Sequence, residues 1–360
     1  LAIAVVGGAG AGYQLLKWWR SRELRRVTLL IQKRARDEIP ADLLIRYGDL
    51  KMENIIGTGS FARVYRGKWN HTLVAIKELT GVHSLMASLE VERNASVTAL
   101  ESQNDEGIQK LVNEFRSEVL VMSRLHHPNV LLLVGACSEF PNLCIVTEFL
   151  PNGSLYDALH KKSARDTITQ KQQMQWLLET ASGMAYLHEQ GLMHRDLKSL
   201  NVLLDDLNRA KLCDFGLAKI VGDAQRTMTS GVGSLLWMSP EVVRGEPYSF
   251  SADVYSWGIM AWEIMSPEEE LFPGLSTYEV AKQIVAGHRP KVNPVWSYCV
   301  CQLMQHCWRG EKEDRPTFVE VMLQLEEVVQ PEATDDAMRG DGKDMGLATP
   351  LLQMSVVRGE

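Results

Sequence analysis

The chain reads HRDLKSLN at residues 194–201 and, after a short gap, DFG at residues 214–216. The first run holds an aspartate, a lysine and an asparagine close together, and the second opens with another aspartate. Either run alone would occur by chance in many chains, and an Asp-Phe-Gly turn often marks only a tight corner. Their order and spacing together indicate one site that gathers acidic, basic and amide side chains.

This pattern resembles the catalytic core of eukaryotic protein kinases, which transfer a phosphoryl group from ATP to a hydroxyl. Such transfer needs an oriented nucleophile and neutralised phosphate charge more than covalent help from the protein. The resemblance implies that Asp196 accepts the proton of the substrate hydroxyl and that Lys198 contacts the transferred phosphate. It also implies that Asn201 and Asp214 hold the Mg²⁺ ions that bridge the phosphates.

A glycine-rich run, IGTGSFARVY at residues 56–65, resembles the strand-turn-strand that covers the ATP phosphates. Glycines there let backbone N–H groups approach oxygen atoms closely. Ala62 replaces the third glycine of the family pattern, which concerns the flexibility of the loop more than binding. The alternative is a dinucleotide-binding turn, but that turn needs glycines that open a helix, whereas residues 64–69 continue as a β-like run.

The run TLVAIK at residues 72–77 matches the third-strand pattern, whose lysine pairs with the α- and β-phosphates. Lys77 needs a glutamate on the next helix, and an apolar i, i+3, i+4 pattern provides Glu118, which we prefer to Glu114. The polar stretch 82–106 is longer than the usual connection in the family, and its composition favours solvation over burial. We interpret this stretch as a mobile insertion, and a short helix that includes Leu85, Leu89 and Leu100 is the alternative.

The run CIVTEFL at residues 144–150 predicts a buried strand that leads into the hinge between two lobes, where backbone groups would bind adenine. Thr147 falls at the gatekeeper position, and its small side chain predicts an accessible back pocket. The resemblance implies the following nucleotide-binding residues: Gly57, Thr58, Gly59, Ser60, Phe61, Val64, Ala75, Lys77, Thr147, Glu148, Leu150, Leu203 and Asp214.

The second half of the chain extends the resemblance. Residues 233–241 resemble the end of an activation segment, and residues 251–258 resemble the central buried helix whose aspartate braces the catalytic loop. The run DRPTF at 314–318 matches the final subdomain, in which Arg315 pairs with Glu241 in that family.

The kinase group is indicated by a mixture of features. Lys198 and Ser234 are marks of serine/threonine specificity, whereas Trp237 and Trp308 also recur in tyrosine kinases. This mixture resembles the tyrosine-kinase-like group, which includes Raf-like and mixed-lineage kinases. Its members mostly phosphorylate serine or threonine.

Control by phosphorylation follows from Arg195, because a guanidinium beside the catalytic aspartate can capture a phosphate on the activation loop. Thr227, Thr229 and Ser230 are the candidate sites. We expect at least one of them to be phosphorylated.

Composition agrees with one two-lobed domain, since 360 residues with 45% hydrophobic residues can bury a large core. The six cysteines form no CxxC pair, which favours buried thiols in a reducing compartment. Cys213 precedes Asp214, and two interpretations stay open: a thiol that faces the nucleotide and a thiol that is merely packed.

The N-terminus predicts membrane attachment. Residues 1–16 are almost wholly apolar, and a longer parent chain would supply the rest of the roughly 20 residues that a membrane helix needs. Residues 17–36 carry eight basic residues and one acid, which favours anionic lipid over nucleic acid. An apolar helix packed on a soluble domain and a glycine-rich disordered end are the alternatives. Gly8 and Gly12 have the spacing of paired membrane helices, so a homodimer is a further expectation.

The sequence thus predicts an α+β two-lobed protein kinase fold that uses ATP and Mg²⁺ on protein substrates and binds no nucleic acid. It would be a single-pass membrane protein with a cytoplasmic kinase domain, or else a cytoplasmic protein. The alternatives in function are a pseudokinase-like scaffold and a tyrosine or dual-specificity kinase. The predicted divisions are 1–16 (membrane helix), 17–46 (basic juxtamembrane segment), 47–149 (β-rich lobe), 150–328 (helical lobe, completing the kinase domain 47–328) and 329–360 (disordered tail).

Overall fold

The computed structural model describes residues 32–59, 62–80, 100–215, 219–220 and 232–329. These residues form a smaller lobe built on an antiparallel sheet and a larger, mainly helical lobe. The predicted α+β two-lobed fold is therefore confirmed.

The sheet of the smaller lobe has the strand order β1-β2-β3-β5-β4, and each neighbouring pair is antiparallel. Its strands are β1 (Lys51–Thr58), β2 (Ala62–Trp69), β3 (Thr72–Leu79), β4 (Leu133–Glu139) and β5 (Asn142–Glu148). Because side chains alternate along a strand, Val74 and Ile76 of β3 join a hydrophobic cluster on one face. Ala75 and Lys77 lie on the other face and line the cleft between the lobes.

Helix α1 (Leu100–Met122) supplies the one long helix described in the smaller lobe. Its buried hydrophobic side chains recur every three or four residues, as an amphipathic helix requires, and they are Val112, Phe115, Val119 and Met122. The helix begins inside the stretch 82–106 that we interpreted as an insertion. Residues 82–99 of that stretch lie outside the described residues.

The described part of the predicted juxtamembrane segment packs on the folded domain. Ala35 and Ile39 are buried and belong to the main hydrophobic core. The Ile45 N–H donates to the Ala136 carbonyl of β4 over 2.9 Å. A Cβ at Gly135 would lie 2.6 Å from the carbonyl oxygen of Leu43, so only glycine allows the segment to approach β4 this closely. The folded part of the chain thus extends N-terminal to residue 47.

The larger lobe surrounds a buried central helix, α6. Its helices are α2 (Leu155–His160), α3 (Lys162–Arg165), α4 (Gln170–Glu189), α5 (Pro240–Val243), α6 (Phe250–Met265), α7 (Thr277–Val285), α8 (Tyr298–Cys307) and α9 (Phe318–Val329). Short strands pair as β6 (Leu192–Met193) with β9 (Lys219–Ile220), and as β7 (Val202–Leu204) with β8 (Ala210–Leu212). Almost every residue of α6 is buried, which makes it a rigid base for the loops that cross it.

Within the described ranges, no helix combines the length and the apolar character that a membrane span needs. The predicted membrane helix at 1–16 lies outside those ranges, as do residues 17–31 of the basic segment and the tail from residue 330.

Candidate active site

The HRDLKSLN run forms the loop between β6 and β7, and its polar side chains are bonded to one another. Lys198 Nζ donates to Asp196 Oδ2 over 2.7 Å. Asn201 Nδ2 donates to the same oxygen over 3.0 Å and to the Asp196 carbonyl over 2.8 Å. These bonds fix the orientation of the Asp196 carboxylate.

Asp253 of α6 holds this loop by hydrogen bonds to its backbone. Its carboxylate accepts the backbone N–H of His194 over 2.8 Å and that of Arg195 over 2.9 Å. It also contacts His188 Nε2 at 3.0 Å. Burial alone would raise the pKa of Asp253, but its hydrogen bonds with His188 and with the Arg195 N–H hold that pKa below its usual value. Arg195 has a φ of 69°, a conformation that costs energy in a non-glycine residue, and the Asp253 bond helps to hold it.

Lys77 of β3 lies between two carboxylates. Its Nζ is 2.6 Å from Glu118 Oε1 of α1 and 3.5 Å from Asp214 Oδ1. Burial alone would lower the pKa of the Lys77 ammonium, but both carboxylates raise it well above its usual value, so the group stays charged. Glu114 lies instead 4.0 Å from Lys110 on an exposed face of α1.

Asp214 faces the same cleft with its side chain about half exposed, at 51%. Partial burial of the carboxyl would raise its pKa, but the ammonium groups of Lys77 and Lys198 hold that pKa below its usual value. The carboxylate is therefore ionised at neutral pH. Its φ of 64° is again unusual for a non-glycine residue, and such strain concentrates at functional sites.

A cavity of about 470 Å³ lies between the lobes, in the size range of small-molecule sites. The predicted residues that line it are Gly57, Val64, Ala75, Lys77, Glu118, Thr147, Glu148, Leu150, Asn201, Leu203 and Asp214. Thr58 and Gly59 stand beside it at the end of β1 without lining it. Ser60 and Phe61 lie outside the described residues.

Several lining residues escaped the sequence analysis because they are apolar and carry no chemical signal. Ile56, Met122, Leu131 and Ile145 are among them. Met122 of α1 and Ile145 of β5 occupy apolar positions whose pattern indicates a hydrophobic core, not specifically the cleft. Cys213 also lines the cavity, but burial raises the pKa of its thiol, which argues against a reactive thiolate.

The hinge carboxylate of Glu148 is already occupied by the protein. Lys211 Nζ of β8 donates to both of its oxygens, over 2.8 and 2.9 Å, and the Leu132 N–H donates over 2.9 Å. Beside it, the buried Thr147 hydroxyl donates to the Glu148 carbonyl over 3.2 Å. The Glu148 N–H donates to the Leu132 carbonyl over 3.1 Å, so a ligand at Glu148 has the remaining lone pair of its backbone carbonyl to bind, not the carboxylate.

Arg195 extends toward Tyr248, whose ring centre lies 5.6 Å from the guanidinium carbon. Two of its nitrogens, Nε and Nη2, are buried and have no hydrogen-bond partner among the residues that the structure describes. Unpaired buried donors of this kind suit an anion. The candidate phosphorylation sites Thr227, Thr229 and Ser230 lie outside the described residues.

A family model described as protein tyrosine and serine/threonine kinase matches residues 50–325 of the chain. That family generally uses ATP and Mg²⁺.

Curated relatives carry similar descriptions. The chain is 37% identical over 289 residues to a probable serine/threonine-protein kinase of Dictyostelium discoideum, with 80% of this chain and 29% of that protein aligned. It is 35% identical to the serine/threonine-protein kinase CTR1 of Arabidopsis thaliana, with 80% and 33% aligned. It is 34% identical to the Arabidopsis thaliana serine/threonine-protein kinase STY17, with 84% and 49% aligned. The chain thus spans less than half the length of these relatives.

Proposed function

Because the chain belongs to the family of protein tyrosine and serine/threonine kinases, we propose that it transfers the γ-phosphate of ATP to serine and threonine hydroxyls of protein substrates. The observation that carries this proposal is that charged and amide side chains from both lobes lie at one cleft. Lys77 from the smaller lobe and Asn201 and Asp214 from the larger lobe line one cavity, and Asp196 accepts a hydrogen bond from Asn201. A scaffold that only binds partners has no need of this arrangement.

The residues present fit Mg²⁺ and phosphate. Magnesium prefers oxygen ligands such as carboxylates, and the ionised Asp214 carboxylate and the Asn201 amide line the same cavity. Asn201 donates through Nδ2, which leaves its Oδ1 as the metal ligand. Bound there with ATP, the metal would neutralise charge on the phosphate oxygens. We assign Lys77 to the α- and β-phosphates, with Glu118 as the group that orients its ammonium.

The acceptor hydroxyl would be oriented by Asp196. Oδ2 of this residue takes the hydrogen bonds from Lys198 and Asn201, which turns the carboxylate into one fixed orientation. In this proposal Asp196 accepts the hydroxyl proton, and the Lys198 ammonium stabilises negative charge on the transferred group.

The choice of serine and threonine rests on two observations. The relatives described above are named serine/threonine-protein kinases. In this chain Lys198 Nζ also donates to Ser234 Oγ over 2.7 Å, so the two residues that marked this specificity in the sequence are in contact.

The function is tested by incubating the purified chain with labelled ATP, Mg²⁺ and a protein substrate, followed by phosphoamino-acid analysis. We expect label on serine or threonine that disappears when Mg²⁺ is chelated. Label on tyrosine would instead indicate a tyrosine or dual-specificity kinase. ATP binding without transfer, even after treatment with an upstream kinase, would support the scaffold instead.

Glu118→Gln is expected to lower kcat/KM for ATP by about 10- to 100-fold, because hydrogen bonds to charged groups contribute about 1.5–3 kcal/mol. The substitution keeps the size of the side chain and removes the charge that holds Lys77 at 2.6 Å. Steady-state kinetics with varied ATP measures the effect. Glu114→Gln is the matched control on the same helix and should stay within about twofold of wild type; equal losses in both variants would contradict the assignment.

Thr147→Met is expected to weaken inhibitors that carry a bulky aromatic group by about tenfold or more, since overpacking a buried site costs about 1–3 kcal/mol. The buried Thr147 side chain lines the cleft, and a longer side chain there would fill the back pocket. Inhibitor titrations beside the KM for ATP measure this. Thr147→Val keeps the size of the side chain and serves as the control. Unchanged inhibition of the Met variant would contradict the prediction of an accessible back pocket beside Thr147.

Activation-loop phosphorylation is proposed as the control of activity, supported by two buried nitrogens of Arg195 that have no partner within the described part of the chain. Replacing Thr227, Thr229 and Ser230 together with alanine should lower transfer several-fold, because the phosphate that orders the loop cannot form. Phosphosite mapping measures the modification of the loop, and activity assays measure the rate of transfer. Thr167→Ala serves as a control in another loop. Full activity of the triple variant would overturn this mode of control.

Membrane association through residues 1–16 and the basic segment after them stays a prediction, as does a homodimer. The excess of basic residues at 17–36 is what supports attraction to anionic lipid.

A further inference from the structure

A second cavity, of about 370 Å³, lies beside α1 and shares no lining residue with the cleft between the lobes. Its walls come from three parts of the chain: Glu38 from the segment before β1, the second half of α1 with the residues just after it, and Gln190 and Leu192 between α4 and β6. The volume falls within the range of small-molecule sites. The cavity therefore has the size of a binding site, and the proposed phosphate transfer does not use it.

The cavity lies against the face of α1 that points away from the hydrophobic core. Asn113, Ser117 and Leu120 follow one another at helical spacing and line the cavity. Phe115 and Val119, on the opposite face of the helix, are fully buried in the core. The outer face of such a helix normally meets water. Here the two other parts of the chain enclose it and leave a cavity.

Two guanidinium groups line this cavity without an acidic partner. Arg116 is half-buried and Arg124 is exposed. Neither forms an ion pair within the ranges that the structure describes; the arginines that do so there are Arg46, Arg66, Arg165, Arg209, Arg244 and Arg315. Glu38 is the acidic residue among those that line the cavity. The lining thus carries two positive charges against one negative charge.

The uncharged lining residues supply hydrogen-bond donors and an apolar floor. Asn113, Ser117 and Gln190 can each donate to an oxygen. Leu125 and Leu192 are buried and present apolar surface. A guanidinium suits phosphate because its planar fork donates two parallel hydrogen bonds. A ligand that carries a phosphate on a small apolar body therefore matches both halves of the lining.

We propose that this cavity binds a phosphomonoester, with Arg116 and Arg124 on the phosphate and the two buried leucines against the rest of the ligand. A phosphomonoester carries about −1.5 to −2 charge near neutral pH, which complements the two guanidinium groups. The bound ligand joins the outer face of α1 to the segment at Glu38 and to the start of β6. It thereby stabilises the helix whose Glu118 pairs with Lys77.

The test is a titration of the purified chain with phenyl phosphate, which carries a phosphomonoester on one aromatic ring, followed by the NMR signals of the ligand. We expect saturable binding that weakens about tenfold or more in Arg116→Gln and in Arg124→Gln, because hydrogen bonds to charged groups are strong. Phenol, which lacks the phosphate, should bind far more weakly than phenyl phosphate. Equal affinity of the wild type and both variants would overturn the proposal.

The cleft also attracts phosphate, so further variants locate the ligand. Lys77→Met removes the ammonium of the cleft and should leave the affinity unchanged. Ser117→Phe fills the cavity beside α1, keeps both arginines and should abolish binding. Arg46→Gln is the matched control, since Arg46 pairs with Asp49 at 3.0 Å and does not line the cavity. Binding that is lost in Lys77→Met and kept in Ser117→Phe would place the ligand in the cleft and contradict the inference.

Two variants test the part that charge and geometry play. Glu38→Gln removes the carboxylate of the lining and should strengthen binding by about threefold, because a like charge no longer opposes the phosphate. Arg116→Lys keeps the charge without the planar fork, so its affinity should fall between wild type and Arg116→Gln. Weaker binding by Glu38→Gln would argue against a phosphate in this cavity.

Amide hydrogen exchange measures the effect on the helix. Phenyl phosphate should slow exchange in residues 112–122 and leave α9 unchanged. Unchanged exchange in both would remove the stabilisation of α1 from the proposal. These measurements do not depend on catalysis, so they decide the inference even if the chain transfers no phosphate.

Vesicles that contain phosphatidylinositol 4-phosphate distinguish a lipid head group from a soluble ligand. Vesicle binding that is lost in Arg116→Gln and Ser117→Phe would identify a lipid as the source of the phosphomonoester. Binding of phenyl phosphate alone would identify a soluble ligand. Vesicle binding that persists in both variants, without binding of phenyl phosphate, would overturn the proposal and favour the basic segment 17–36 as the lipid contact.

Discussion

Asp196→Asn is expected to lower the rate of phosphate transfer by about 10³-fold, in the range that general base catalysis contributes, without weakening ATP binding. Lys198 and Asn201 both donate to Asp196 Oδ2. In the variant these donors would retain the amide oxygen, which turns the NH₂ group toward the acceptor hydroxyl. The hydroxyl would then meet a donor where it needs an acceptor.

The measurement is transfer from labelled ATP, together with a direct ATP titration of the same protein. Asp206→Asn provides the control, because Asp206 is an exposed carboxylate that follows β7 by two positions. It should behave as wild type in both assays. An Asp196→Asn protein that keeps more than about a tenth of the wild-type rate would remove Asp196 from the proposed role.

Arg315→Ala is expected to lower the free energy of unfolding by about 3–5 kcal/mol, because it leaves a buried carboxylate without its partner. Arg315 Nη1 and Nη2 donate to the two oxygens of Glu241 over 2.7 and 2.9 Å, and both side chains are almost fully buried. Burial alone would raise the pKa of Glu241, but hydrogen bonds from Arg315 and its charge hold that pKa below its usual value. In the alanine variant both of these effects are lost and burial raises that pKa, so Glu241 must either keep an uncompensated charge or take up a proton, and each costs stability.

Denaturant unfolding measures this loss, and Arg244→Ala is the control. Arg244 pairs with Glu246 at 3.0 Å, but both side chains are exposed, so the pair contributes at most about 1 kcal/mol. Arg315→Lys should fall between wild type and alanine, since lysine cannot donate to both oxygens in the same planar geometry. Equal stability of the two alanine variants would contradict the argument from burial.

Local motifs were sufficient to predict the kinase family and its two-lobed fold, and both are confirmed. The reason is that the glycine-rich run and the HRDLKSLN run carry unusual residue types at close spacing. Lys77 and Glu118 could be chosen for one pair because a strand pattern and a helix pattern limited the candidates. Their catalytic and nucleotide-binding roles stay proposals that the variants above test.

Contacts between distant segments could not be predicted in the same way. Glu263 looks like an ordinary helical glutamate in the sequence, and its hydrogen bonds come from residues 64 and 26 positions away. Ala35 lies within the strongly basic stretch 17–36 and Ile39 lies just after it, and this charge pattern hid the fact that both enter the core. The start of α1 at Leu100 was left open, because the polar residues that follow suit an exposed helix as well as a loop.

The packing of residues 41–45 along β4 has a consequence for self-association. β4 is the last strand of its sheet, and an uncovered edge strand offers its N–H and C=O groups to another chain. Here the Ile45 N–H occupies the carbonyl of Ala136, and Leu43 lies over Gly135. A chain cut by a protease just before Tyr47 would expose that edge. Such a fragment should then aggregate through β4 even where its cleft remains intact.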